Sequence, residues 1–243
     1  MIDLFVQLIL SLNNLLFGNL GLTIIVIGIL SRAVFHPFYA NSIRYSKAMR
    51  DLKPKLDDIK KKHSGNMQKQ AAEQSRVFRE AGISPAAGAI GCVSLIIQIG
   101  IFFLLFQSLQ RVVDTGVDTN FFIWDLAKPD VYNIQGIPLP LPGILVIMTA
   151  AFSFAQSKML APVNPGPKEV KKKERGDIAD ALSATQGQMM YFIPLIILFS
   201  GTQFPAALAL YWFVSTAFGI IQQYNIAGAG GLESWLRKIR PVK

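Results

Sequence analysis

Arg32 stands in an apolar run, residues 20–39, that otherwise has the length and character of a membrane-crossing helix. A guanidinium keeps its proton in proteins. At bilayer depth such a charge costs about 3 kcal/mol on insertion scales, so it persists only where water or a polar partner offsets the cost. The chemistry it offers is electrostatic: it attracts and transiently holds anions. The rest of the inventory argues against bond chemistry. No Asp or Glu lies within the apolar blocks, and only His36 is near one, so neither paired carboxylates nor a Ser–His pair can be assembled at depth. His36 itself reads as an interfacial or packed histidine. No Gly-rich phosphate loop occurs, which argues against nucleotide use. Cys92 is the one cysteine, so no disulfide framework or cysteine-based zinc site is available. An enzyme, a cofactor or a metal centre is therefore not expected.

The elements that must position Arg32 are long apolar blocks separated by basic ones. The mean hydropathy is +0.38 and the net charge +9, yet only 16% of residues are charged, against about 25% in a typical soluble domain. Five blocks approach the roughly 20 residues a spanning helix needs: 20–41, 84–110, 140–160, 188–203 and 205–225. Residues 2–17 are apolar but shorter and lack the basic flank of a signal peptide. They read as an interfacial amphipathic helix ended at Gly18-Asn19.

Charge orients these blocks. Residues 43–83 hold eleven Lys or Arg, residues 158–186 hold six and the tail 226–243 holds four. The loop 111–139 has Asp114, Asp118, Asp125 and Asp130 in addition to Lys128 and Arg111. With five spans the basic segments share one side, which the positive-inside rule makes cytoplasmic, leaving the N-terminus outside and the C-terminus inside. Residues 44–83 read as a charged helical hairpin. Its first helix is expected near Met49, with Pro54 in its first turns, and its second helix ends at Gly82 as a C-cap. Residues 161–187 read as a basic cytoplasmic loop.

Several stretches resemble the YidC-type membrane protein insertase family. They are Arg32-Ala33-Val34-Phe35-His36-Pro37, Met49-Arg50-Asp51-Leu52-Lys53-Pro54-Lys55, Glu80-Ala81-Gly82-Ile83-Ser84-Pro85, Ile96-Ile97-Gln98-Ile99-Gly100, Phe122-Ile123-Trp124-Asp125-Leu126, Phe154-Ala155-Gln156-Ser157-Lys158 and Phe204-Pro205-Ala206-Ala207-Leu208-Ala209-Leu210-Tyr211-Trp212. Their shared order over nearly the whole chain carries the likeness. The chain departs from the family at Gly88-Ala89-Ile90-Gly91-Cys92, where a Gly-Cys-Leu-Pro run is usual, and at Pro205-Ala206-Ala207, where Pro-x-Gly is usual.

The resemblance implies an all-α membrane protein of the compact bacterial form, with five transmembrane helices around a polar groove open to cytoplasm and lipid, in the plasma membrane. Arg32 and Gln156, both poorly suited to lipid, are the principal groove residues expected. Ser31, Gln98, Thr149, Ser153, Gln188 and Tyr211 extend the polar lining, and the resemblance adds Trp212 as a contact for a substrate helix. The implied activity is insertion of single- or double-span proteins by moving their short polar tails through the groove, without nucleotide hydrolysis. The implied partners are nascent membrane proteins and the lipid bilayer, with the ribosome and the general secretion channel as further expectations. A small anion channel or secondary transporter is the alternative, but no internal repeat supports it.

Overall fold

A computed structural model of the chain describes residues 2–83, 87–134, 136, 139–160 and 191–239. The described residues are mostly helical. Helix α1 is Ile2–Leu15, α2 Leu20–Val34, α3 His36–Lys62, α4 Met67–Glu80, α5 Ala87–Asp114 and α6 Ile144–Leu160. Helix α7 is Tyr191–Ser200, α8 Ala206–Ala227 and α9 Gly231–Ile239. Between α5 and α6 run two short antiparallel pairs, β1 (Asn120–Phe121) with β2 (Trp124–Asp125) and β3 (Val131–Tyr132) with β4 (Leu141–Pro142).

By length and apolarity, Ile96–Asp114 and Ala206–Ala227 are long enough to cross a membrane. The pair α1 and α2 makes a third if counted as one span, although its axes bend by 119°. Ile144–Leu160 and Tyr191–Ser200 are shorter apolar helices. The five expected blocks thus appear as two to three candidate spans among the described residues.

The first predicted span, 20–41, is divided. Asn19 caps α2 by accepting from the Leu22 amide at 2.9 Å. The helix closes at Phe35, whose N–H donates to the Ser31 carbonyl at 3.2 Å. Pro37 explains the break: it has no N–H to continue the ladder, and its ring would crowd the Ala33 carbonyl. Proline is tolerated in a first turn, so α3 restarts at His36. That start corrects the expectation for the hairpin. Its first helix begins well before Met49, and Pro54 lies in the helix interior rather than in the first turns.

The chain forms two compact units. The first is Met1–His36, Leu95–Phe154 and Tyr191–Ile221. Its core joins Ile24 and Ile27 of α2, Leu105 and Leu109 of α5, Leu145 and Val146 of α6, and Leu208 and Tyr211 of α8. The loop between α5 and α6 closes one end of this core and supplies partners for helix N–H groups, which have none within their own first turns. Asp130 accepts from the Leu145 and Val146 amides at 2.7 and 3.3 Å and from the Trp124 indole at 3.1 Å. Its negative charge therefore sits at the positive end of the α6 dipole. The carbonyls of Lys128 and Leu126 accept from Ala206 and Ala207, the first residues of α8, at 2.7 and 3.1 Å.

The second unit is Pro37–Ser94, Ala155–Met190 and Gln222–Lys243. It holds all but three of the chain's 24 Lys and Arg, the exceptions being Arg32, Arg111 and Lys128. Helices α3 and α4 are joined by a tight turn. Asn66 caps α4 through the Lys69 amide at 3.0 Å, and the Gln70 side chain donates back to the Lys60 and His63 carbonyls. Gly82, at φ +67°, terminates α4 as expected.

Candidate functional site

Arg32 occupies the last turn of α2, and its position follows from a close helix contact one turn earlier. At Gly28 an added Cβ would come within 3.0 Å of Val214 Cγ1, so the missing side chain lets α2 approach α8. One turn further along α2 and one residue further along α8, Arg32 meets Ser215. The guanidinium Nε donates to Ser215 Oγ at 2.9 Å. Ser215 Oγ in turn donates to Gln98 Oε1 at 3.3 Å, and Gln98 Nε2 donates to the Tyr211 hydroxyl at 3.4 Å. The chain Arg32–Ser215–Gln98–Tyr211 ties α2, α5 and α8 together inside the apolar core. Tyr211 and Ser215 are wholly buried, and Arg32 is 8% exposed.

Ser215, backed by Gln98, orients the guanidinium through Nε. Neutral hydrogen bonds in a low-dielectric setting hold the group in place. A surrounding of low polarity strengthens the Coulomb attraction between a guanidinium and any anion brought close. At 8% exposure Arg32 is less accessible than a side chain standing in a wide aqueous groove. An anion brought to Nε has to compete with Ser215 for it.

The other expected residues divide. Gln98 and Tyr211 belong to the Arg32 network. Ser31 instead turns back to its own helix, donating to the Gly28 carbonyl at 2.9 Å, a habit of hydroxyl side chains in helices. Thr149 does the same with the Leu145 carbonyl at 2.7 Å and also reaches the Ala209 carbonyl at 3.3 Å, so it fastens α6 to α8. Ser153 is buried on α6. Trp212 is half-buried and packs edge-on against Phe102, ring centres 5.7 Å apart. Both rings line a cavity of about 20 Å³ together with Val146 and Leu208, space for a single water. Gln156 lies in the second unit and is half-buried. Gln188 falls outside the described residues. His36 is exposed at the start of α3.

Ser215 is the member that sequence reasoning missed. A faint signal existed: Ser215 lies four residues beyond Tyr211 on α8, hence on the same helical face. Among the described residues no group of three or more His, Cys, Asp or Glu is placed to hold a metal ion.

The 60Kd inner membrane protein family matches residues 12–230 of the chain. A protein of Bacillus anthracis named membrane protein insertase YidC 2 is 30% identical over 233 residues, covering 91% of this chain and 77% of that protein. Proteins named membrane protein insertase YidC are 31% identical over 212 residues in Ralstonia nicotianae and 32% over 229 residues in Janthinobacterium sp.. These alignments cover 87% and 93% of this chain but 33% and 36% of those longer relatives, so the chain spans about a third of their length.

Proposed function

The chain belongs to the 60Kd inner membrane protein family of YidC-type proteins, and from that footing we propose that it is a membrane protein insertase of the bacterial plasma membrane. The observation that carries the reading is the Arg32 network: a guanidinium in the last turn of an apolar helix, its Nε donating to Ser215, which bonds on to Gln98. In the proposed arrangement five spans surround a polar groove on the cytoplasmic side, with the N-terminus outside, the hairpin of α3 and α4 in the cytoplasm and α1 at the outer interface. Trp212 is assigned to the flank along which a substrate helix slides.

The work done is to lower a barrier rather than to make or break bonds. A substrate with one span must carry a short polar tail across hydrocarbon, and a polar recess reaching partway shortens the dry path. An acidic residue in that tail displaces Ser215 from Arg32. At an effective dielectric near 20 an ion pair at about 4 Å gains about 4 kcal/mol before desolvation, enough to recruit the tail. The membrane potential, positive outside, then draws each acidic charge onward with about 2.3 kcal/mol per 100 mV, so the tail leaves the site. No nucleotide enters this cycle. Nascent membrane proteins are the proposed substrates, and the ribosome and the general secretion channel the proposed partners at the cytoplasmic face.

Reconstitution tests the reading. The purified protein, alone in liposomes and without nucleotide, is expected to convert an added single-span substrate to a form with its tail protected from external protease. No protection above protein-free liposomes would refute the insertase assignment.

A further inference from the structure

One face of α5 changes from apolar to polar along its length. Gly100, Phe103, Leu104, Gln107 and Arg111 recur at i, i+3, i+4, i+7 and i+11, a single stripe of the helix surface. Phe103 is 54% exposed, and a Cβ built at Gly100 would meet nothing within 4 Å, so the apolar end of the stripe is open. From Gly100 to Arg111 the helix rises roughly 16 Å, close to half of a hydrocarbon core of about 30 Å. A span that holds Arg111 among the headgroups therefore has Gly100 near the bilayer centre.

The start of α1 covers the polar end of this stripe. Ile9 belongs to the apolar core, and Phe5 and Val6 pack against it, which fixes the first turn of α1 in place. From that turn Asp3 accepts a bond from Arg111 Nη1. Ile2 and Asp3 enclose, together with the five stripe residues, a cavity of about 450 Å³, a volume typical of small-ligand sites. The ion pair leaves much of its bonding capacity unused. Arg111 Nε and Nη2, the second Asp3 oxygen and the Gln107 amide have no protein partner among the described residues. A guanidinium and a carboxylate can each make several further bonds.

The lining thus offers a cation, an anion and an amide at the headgroup level, and hydrocarbon below them. A phospholipid presents its groups in the same order. Because the two charges cancel, the complementary headgroup is a zwitterion with N–H donors of its own. We propose that the cavity between α1 and α5 binds an ethanolamine phospholipid of the leaflet at the carboxyl end of α5. Its phosphate accepts from Arg111 and Gln107, its ammonium donates to Asp3, and an acyl chain lies along Leu104, Phe103 and Gly100. Bonds between ionised partners are the strong ones in such a site. A choline headgroup carries the same charges but has no N–H to give Asp3. A glycerol headgroup leaves the Asp3 carboxylate facing a phosphate with no cation between them.

Native mass spectrometry of the full-length protein in detergent tests this. The protein is given equal amounts of phosphatidylethanolamine, phosphatidylcholine and phosphatidylglycerol with similar acyl chains. Retention of the ethanolamine lipid is expected to exceed that of either competitor on the order of tenfold, the factor that one charge-assisted hydrogen bond supplies. Arg111→Gln should abolish the preference. Asp3→Asn should lower the ethanolamine lipid to the level of the choline lipid and raise the glycerol lipid, because the cation is then unopposed. The two side chains are 54% and 83% exposed, so these replacements leave the core intact. Gly100→Leu, which fills the acyl end, should reduce retention of all three. Phosphatidylethanolamine carrying a photoreactive diazirine in its acyl chain should label the α5 peptide that contains Phe103 and Leu104, and Arg111→Gln should remove that label. Equal retention of the three lipids, the glycerol lipid retained above the ethanolamine one, a preference that survives both charge variants, or labelling confined to other helices would each overturn the proposal. So would a dimer of this chain that retains no lipid. Insertion activity does not enter the readout, so failure here is distinguishable from failure of the insertase reading.

Discussion

Arg32 and Arg50 are about equally buried, one in each compact unit, and they are held by different chemistry. Arg50 bonds to two backbone carbonyls, each the negative end of a helix dipole, and to Asp51 at 3.5 Å. Its charge is used up by the fold. Arg32 bonds through Nε to a hydroxyl that an amide backs up. That hydroxyl and amide orient the Arg32 side chain within the helix core. The comparison separates a cation that joins two helix ends from one that we propose receives the substrate, although burial alone makes them look alike.

Substitution should separate them most sharply at Arg50. Arg50→Ala leaves two helix-end carbonyls without their charged donor, and charge-assisted bonds of this kind are worth about 1.5–3 kcal/mol each. A loss of about 3 kcal/mol or more is expected in unfolding measured by denaturant titration in detergent micelles. Arg50→Lys should recover only a minor part, because a single ammonium cannot reproduce a fork that spans two acceptors. Wild-type stability in either variant would dissolve the distinction.

Ser215→Ala gives a smaller effect of a different kind. It removes one neutral partner of Arg32, worth about 1 kcal/mol. Insertion of a substrate with an acidic tail should fall less than in Arg32→Ala, since the charge stays. A fall as large as that of Arg32→Ala would mean that orientation, rather than charge, carries the function. At the opposite pole of α6, Asp130→Asn keeps an acceptor but loses the charge at the helix N-terminus, an expected cost of about 1 kcal/mol by the same unfolding assay.

The smallest expected effect is a pH response in the loop. The Asp125 carboxyl is held below the usual carboxylate range, first by its bond to the Lys128 ammonium and next by the Thr119 hydroxyl. A depressed folded value means that its contribution is complete above the ordinary Asp value near ~3.9 and is lost as pH falls through the lowered one. Hydrogen-exchange protection of the Ala127 amide, which donates to Asp125 Oδ1 at 3.1 Å, should therefore hold from neutrality to about pH 5 and decline only in stronger acid. Protection that fell between pH 7 and pH 5 would contradict this account.

What the sequence made legible follows from contrast with surroundings. Arg32 and Gln98 stand out because they are polar residues in apolar blocks. Arg50 does not, because it is one of eleven cations in residues 43–83 and nothing local distinguishes the buried one from the solvated ones. Asp130 is hidden in the same way among four acidic residues of its loop. Ser215 was passed over because a hydroxyl in a helix usually bonds to its own backbone, as Ser31 does here. The first apolar block reads as one span through residue 41, because the sequence alone does not show that Pro37 divides it, and the restart of helix at His36 depends on proline's tolerance in a first turn. Long-range partners, rather than residue type, decided each of the features that sequence left open.

The most direct test of the central claim compares two single-span substrates that differ only in whether the translocated tail is acidic or neutral. In proteoliposomes containing Arg32→Ala, insertion of the acidic-tailed substrate is expected to fall on the order of tenfold, the loss of roughly 1.4 kcal/mol of attraction. The neutral-tailed substrate should be affected far less, and Arg32→Lys should restore the acidic one. An equal loss for both tails, or no loss for either, would contradict the assignment of Arg32 as the charge that receives the substrate.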